Sequence, residues 1–371
     1  MRRSFFAKLT ALAAVSVLVL SACGRGEDEP EPQAEETTDP GQGEEQVSLL
    51  QTVLDRGTLN CGVNNTVPGF GFDPGTGEID GFDTEFCRAI ATAVLGDPTA
   101  IELVPIDAEE RFNALRAGEY DVLVRNTTWT SSRDGTEGVA FAHVNFYDGQ
   151  AMMVRADSGY EKVADMDGTA ACVTTGTTTE LNLADYAAQV EADIEAVTFA
   201  ENPQLQEAFI AGRCDGWTSD RSQLAGIRSA WPGSDGGPEA LVILDDVMSK
   251  EPLAPAVVDG DSDWYDVVNW TVNGLILAEE LGVDSGNVAQ QASNPDSPQI
   301  AAMLGVPFEA ETETLEVDHG LGIDNTFMQD VIAAVGNYGE IFDRHVAPLG
   351  VERGVNALWT DGGIQYAYPF R

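Results

Sequence analysis

The chain has 371 residues, 19 of them basic and 62 acidic, for a formal net charge of −43. That balance argues against nucleic acid or an anionic lipid face as the partner, because binding to phosphate depends on clustered Lys and Arg. The acidity is spread along the whole chain, which suits a saline setting better than a single acidic binding site.

Arg2, Arg3 and Lys8 flank an apolar run from Leu9 to Leu20 that is too short to stay in a bilayer as a helix, so residues 1–22 read as a secretion signal. Arg2-Arg3-Ser4-Phe5-Phe6 leaves twin-arginine export open alongside the general route. The run ends in Leu20-Ser21-Ala22-Cys23-Gly24, which resembles the lipobox of bacterial lipoproteins and implies a lipidated Cys23; an ordinary signal peptide cut near Ala22 is the alternative. Residues 24–46 carry nine carboxylates and no apolar run, so 23–46 reads as a disordered, self-repelling tether. About 325 residues remain, more than one domain usually holds, and two lobes are expected. No later stretch is apolar enough to cross a membrane.

Strand and helix signals alternate after Leu59, which predicts an α/β fold with sheets flanked by helices. Leu59–Val63 reads as a strand, and 83–95 as a helix with Phe86, Ile90 and Val94 spaced by four on one face. Ile101–Pro105 is a second strand, and 109–117 a second helix closed by Gly118. A third strand, 120–124, runs into Arg-Asn-Thr-Thr-Trp-Thr-Ser-Ser-Arg at 125–133. Asn126, Thr127 and Thr128 offer short donors and acceptors there, and Arg133 can grip a carboxylate with a planar fork. A surface loop whose arginine pairs with a neighbouring carboxylate is the plainer reading of that stretch.

After Val144 the order returns: strand at 169–173, helix at 178–190, strand at 196–199, helix at 203–211 closed by Gly212. Ala117-Gly118-Glu119-Tyr120-Asp121 matches Ala211-Gly212-Arg213-Cys214-Asp215 at an offset of 94, and the same offset pairs Asn126 with Asp220. Ligands of open α/β sheets sit beyond the carboxyl ends of the strands, so 126–133 and Ser219-Asp220 become equivalent rims on two lobes. Asp220 can also cap the segment Arg221–Ser229. A third rim, Thr174-Thr175-Gly176-Thr177-Thr178-Thr179-Glu180, offers hydroxyls and free N–H groups to an anion, or simply caps its helix. From Trp264 on, the chain reads as mainly helical, with Asp263 and Asp266 as caps of a helix over 264–281. Asp259, Asp261 and Asp263 mimic the start of a calcium loop, but its glycine and its closing glutamate are missing, and no metal site or cofactor is expected.

Besides Cys23 there are four cysteines, an even number that suggests disulfides in an exported protein. Three pairings are possible; Cys61 with Cys87 and Cys172 with Cys214 is favoured, since each pair falls within one half.

From about Leu49 to Arg371 the motifs resemble the extracytoplasmic solute-binding proteins of polar amino-acid ABC importers, especially the long branch for general L-amino acids. They are Cys61-Gly62-Val63 with Pro68-Gly69-Phe70, the run 125–134, the run 176–186, Gly212-Arg213-Cys214-Asp215 with Thr218-Ser219-Asp220, and Ser249-Lys250-Glu251-Pro252-Leu253; near the C-terminus 336–344 and 352–359 with the final Tyr-Pro-Phe-Arg extend the match. The resemblance implies a two-lobed, type II periplasmic-binding-protein-like fold with two crossover strands near 148–154 and 244–257 and a helical C-terminal extension. Lobe 1 would comprise 47–147 and 251–371, and lobe 2 148–250. It also implies that Arg133, Thr128 and the backbone near Thr178 hold a ligand α-carboxylate, that Asp220 and Asn126 take its ammonium, that Asn64 and Phe70 line its side chain, and that Trp129 lies near the rim. Val67 stands where many relatives stack an aromatic ring on the ligand, which speaks against a cationic side chain. The expected protein is a lipid-anchored, extracytoplasmic monomer that closes on an L-amino acid and delivers it to a permease and ATPase complex. A ligand-sensing partner of a membrane receptor is the alternative. Enzymes such as dehydratases and lyases share the scaffold but need a placed acid or base, and His143, His319 and His345 fall outside the rim motifs.

Overall fold

The computed structural model describes residues 48–309, 314–315 and 317–371. The expected signal, Cys23 and the tether lie outside the described residues. Two five-stranded sheets form the frame. The first runs in the order Ile101–Pro105, Leu59–Val63, Val122–Leu123, Ala256–Val258, Val139–Phe141, with its first three strands parallel and the last two antiparallel. The second repeats this plan with Ile194–Phe199, Thr169–Thr174, Gly216–Asp220, Gln150–Arg155 and Leu241–Ile243.

The offset of 94 is structural as well as textual. Gly118 and Gly212 both sit at φ 72° past a helix end, where a side chain would be strained. The Asp121 carboxylate accepts the Asn60 amide at 2.8 Å, and the Asp215 carboxylate accepts the Ala170 amide at 3.0 Å. In each lobe the aspartate therefore ties the start of one parallel strand to its neighbour, and this fixes where both strands end and hence where the rims lie.

The chain crosses between lobes on a two-stranded antiparallel ladder, Phe146–Asp148 against Glu251–Leu253. Asn356 clamps this ladder from the C-terminal extension: its side-chain carbonyl accepts the Tyr147 amide at 2.7 Å, and its amide donates to the Tyr147 carbonyl at 2.9 Å. Helices Ser262–Glu280, Phe327–Val335 and Tyr338–His345 pack with Phe82–Leu95 in the core of the first lobe. Trp264, Val267, Val268 and Leu275 are all fully buried there, on the face expected.

Asp261, rather than Asp263 or Asp266, caps that long helix: it accepts the Trp264 amide at 3.0 Å and also the Leu49 amide at 2.6 Å. The helix starts at Ser262, earlier than the apolar pattern signals, and Asp261 also accepts the Ser48 hydroxyl at 3.1 Å, which ties this cap to the start of the helix Leu49–Arg56. Cys61 pairs with Cys87 and Cys172 with Cys214, one bridge per lobe, with Cα separations of 6.1 Å and 5.6 Å. Among the described residues no helix is long and apolar enough to cross a membrane.

Candidate functional site

The strand ends of both sheets face one polar cleft. Asn64, Asn126, Thr128, Arg133, Thr178 and Asp220 line it, so six of the side chains expected at the site converge. Phe70 and Trp129 do not line it. Phe70 is buried edge-on against Phe146 in the first lobe's core, where the Phe82 and Phe146 rings supply a better surface than a polar cleft. Trp129 is 38% exposed and stacks on Phe141 at 5.8 Å, on the outer side of the rim.

On the first lobe, residues 127–129 leave the sheet and pair with the crossover strand: the Trp129 amide donates to Pro252 and the Ala254 amide to Thr127. Asn126 occupies a left-handed backbone, φ 31°, and the buried Asp83 carboxylate accepts its amide at 2.8 Å. Burial pushes the Asp83 carboxyl up to about 7, partly offset by that amide and by the Arg125 guanidinium. Arg133 lies on a short helix, Ser131–Thr136, that the glycine and short polar residues hide from pattern reading; Thr130 caps it. Its guanidinium donates to the Thr128 carbonyl at 2.8 Å and sits over the Phe112 ring at 5.5 Å, so the fork is held in place.

On the second lobe, Asp220 stands at the N-cap position of Arg221–Ser229 without capping it. Asp148, from the crossover strand, does that work by accepting the Ser222 amide at 3.2 Å and the Ser222 hydroxyl. Asp220 is thereby free for the cleft, where the one side-chain donor to its carboxylate among the described residues is the Asn126 amide at 3.5 Å. Burial, then the charges of Asp148 and Glu251, raise its pKa well above the usual carboxylate range, while Asn126 and Arg133 act the other way. Such a carboxylate lacks a cation. Thr177 caps Thr178–Gln189 by accepting the Glu180 amide at 3.1 Å, so capping and rim position coexist in that turn.

The lobes touch across the cleft through polar contacts. Asn126 donates to Gln223 at 3.1 Å, Asn202 to Thr66 at 3.1 Å and Arg111 to the Gly176 carbonyl at 3.1 Å; Arg125 pairs with Glu201 at 3.4 Å. Glu251 on the crossover strand joins both sides at once: one carboxylate oxygen accepts Thr128 at 2.6 Å and Thr178 at 2.8 Å, and the other accepts Asn182 at 2.8 Å. This is a closed arrangement.

Arg111, Arg125, Glu201, Asn202 and Gln223 line the cleft and were not singled out in the sequence. The rule that located the other rims covers most of them, since 106–111 and 200–202 also follow the carboxyl ends of strands. His143, His319 and His345 are not among the lining residues.

Residues 59–282 match the sequence profile of the bacterial extracellular solute-binding proteins, family 3. The chain is 45% identical over 327 residues to the general L-amino acid-binding periplasmic protein AapJ of Rhizobium johnstonii, covering 87% of this chain and 93% of that protein. It is 42% identical over 334 residues to the glutamate/glutamine/aspartate/asparagine-binding protein BztA of Rhodobacter capsulatus, covering 89% and 95%. Among solved structures it is similar to an ABC transporter periplasmic binding protein from Brucella ovis with glutathione bound, at a TM-score of 0.81 and 43% identity over 87% of this chain and 99% of that one.

Proposed function

The chain belongs to the bacterial extracellular solute-binding proteins, family 3, and from that premise we propose that it binds an L-amino acid between its lobes by hinge closure and delivers it to an ABC-type importer. One observation carries this reading: Arg133 of one lobe and Asp220 of the other line the same cleft, Asp220 buried and Arg133 half-buried, and among the described residues neither is in an ion pair. A zwitterion supplies the missing partner to both. Its carboxylate takes the Arg133 fork with Thr128 and the amides near Thr178, and its ammonium takes Asp220 with Asn126. Asn64 borders the side chain.

Magnitudes favour enclosure over a half-site. Micromolar affinity needs about −8 kcal/mol, and over roughly ten heavy atoms that approaches the best efficiency known for small ligands. Neither rim alone offers so many contacts. The closed form then presents both lobes together to the permease, and the Glu251 and Asn126 contacts bias the equilibrium towards it.

In this reading 47–147 with 251–371 and 148–250 are the two lobes, residues 1–22 are removed, Cys23 carries a lipid, and 23–46 tethers a monomer outside the membrane. Proton-transfer catalysis is not part of it: the cleft has charges suited to a zwitterion and no histidine in its lining. A thermal-shift screen of the purified protein against the twenty L-amino acids tests the reading. Stabilisation by one or more of them is expected; no shift with any overturns it.

A further inference from the structure

Residues 283–371 lie beyond the stretch that matches the family profile, and part of this extension is tied to the hinge. In the crossover ladder Tyr147 stands opposite Pro252, which has no N–H to give, and turns its own amide and carbonyl to the buried Asn356. One side chain, accepting at 2.7 Å and donating at 2.9 Å, thus completes that edge as a third strand would. The Gln365 amide adds a bond to the Asn145 carbonyl at 3.4 Å, and the Tyr368 ring meets His143 edge-on at 5.3 Å. Arg353 anchors this strap to the first lobe. Its two terminal nitrogens donate to Glu279 at 2.9 Å each, and its guanidinium lies over the Tyr338 and Phe342 rings at 5.1 Å and 4.9 Å.

The second lobe takes hold immediately after Tyr147. The Asp148 carboxylate accepts the Ser222 amide, the Arg221 amide donates to the Gly149 carbonyl at 2.9 Å, and Gln150 opens a strand of the second sheet. On the return, the Met248 amide donates to the Gln150 carbonyl at 2.9 Å, and from Pro252 onwards the strand is held by the Trp129 amide of the first lobe. What remains for bending is Asp148–Gly149 on the way out and Ser249–Glu251 on the way back. These two stretches pack closely, since a Cβ on Gly149 would lie 3.0 Å from the Ser249 carbonyl. Without Asn356 the Tyr147 backbone loses its hold, and the free outbound stretch lengthens.

Resting on the amino-acid-binding reading, we propose that Asn356 is a positioning residue for closure: it confines hinge bending to the junction beyond Tyr147, so that less conformational freedom is lost when the lobes close on a ligand. Two measurements on the purified protein test this: calorimetry with L-glutamate and L-glutamine, and distances between nitroxide labels placed on the exposed faces of the two lobes through Glu119→Cys and Glu207→Cys. Asn356→Ala is expected to broaden the ligand-free distance distribution and leave the ligand-bound distance unchanged. It should also weaken both ligands by the same factor, roughly fivefold or more, as freeing one residue's backbone would. Asn356→Asp keeps the acceptor for the Tyr147 amide and loses the donor, so a smaller effect of the same kind is expected, and it carries the test if Asn356→Ala fails to fold. A ligand-free distribution as narrow as that of the unaltered protein, or unchanged affinity for both ligands, overturns the proposal while leaving the amino-acid reading intact. An unaltered protein that binds no L-amino acid strikes that reading first, and the ligand-free distances still decide the role of Asn356.

Discussion

The two rims of the cleft are built by the same device and carry opposite charge. In each lobe a helix ends at a glycine at φ 72°, an aspartate ties two parallel strands together, and the chain emerges at Asn126 or at Asp220. The first lobe then places Arg111, Arg125 and Arg133 around the cavity; the second places Asp220, Glu201 and the threonines 174 and 177–179. The frame is duplicated, and the chemistry is divided. A ligand with both charges completes the pair, and neither lobe alone can.

Removing either charge should break that complementarity most severely. Arg133→Ala and Asp220→Ala are each expected to weaken amino-acid binding by about 3 kcal/mol or more, at least a hundredfold, because truncating one partner strands a buried charge. Calorimetry reads the loss, and unchanged melting of the ligand-free variants shows that the fold persists.

The next test leaves both rims intact and alters only their approach. Gly226 on the second lobe packs against the Pro68 carbonyl of the first, where a Cβ would collide with backbone. Gly226→Ala should therefore prop the lobes apart and weaken binding about tenfold, with little change in ligand-free melting; scattering in saturating ligand should show a less compact form. Glu251→Gln probes the same closure at the hinge. It keeps the shape but loses charge-assisted bonds from Thr128 and Thr178, so a loss of about 1–2 kcal/mol in affinity is expected by calorimetry.

The smallest effect is a proton. In the ligand-free closed cleft Asp220 is raised well above 3.8 by burial and by Asp148 and Glu251. A bound ammonium favours its ionised form, so binding releases part of a proton below the raised pKa. Affinity then rises as pH climbs towards that pKa and levels off above it. Titrations in phosphate and in Tris should differ in apparent enthalpy, and Asp220→Asn should remove the difference.

Much of the frame was legible in the sequence because its signals are local. The strands Leu59–Val63 and Ile101–Pro105 fall where the alternation of strand and helix signals places them. The site was legible where motif and strand end coincide, as at Asn126, Thr128 and Asp220. What escaped depends on contacts distant in sequence. Asp148 caps a helix 74 residues away, and Asn356 reaches Tyr147 across 209. Phe70 carries the same ring whether it faces ligand or core; only the Phe82 and Phe146 rings packed around it settle which.

A crystal structure of the protein grown with L-glutamate tests the division of charge most directly. The account predicts one ligand in the cleft with its α-carboxylate about 3 Å from Arg133 and its ammonium about 3 Å from Asp220. A ligand bound outside the cleft, or held by one lobe without contact to the other's charge, would contradict it.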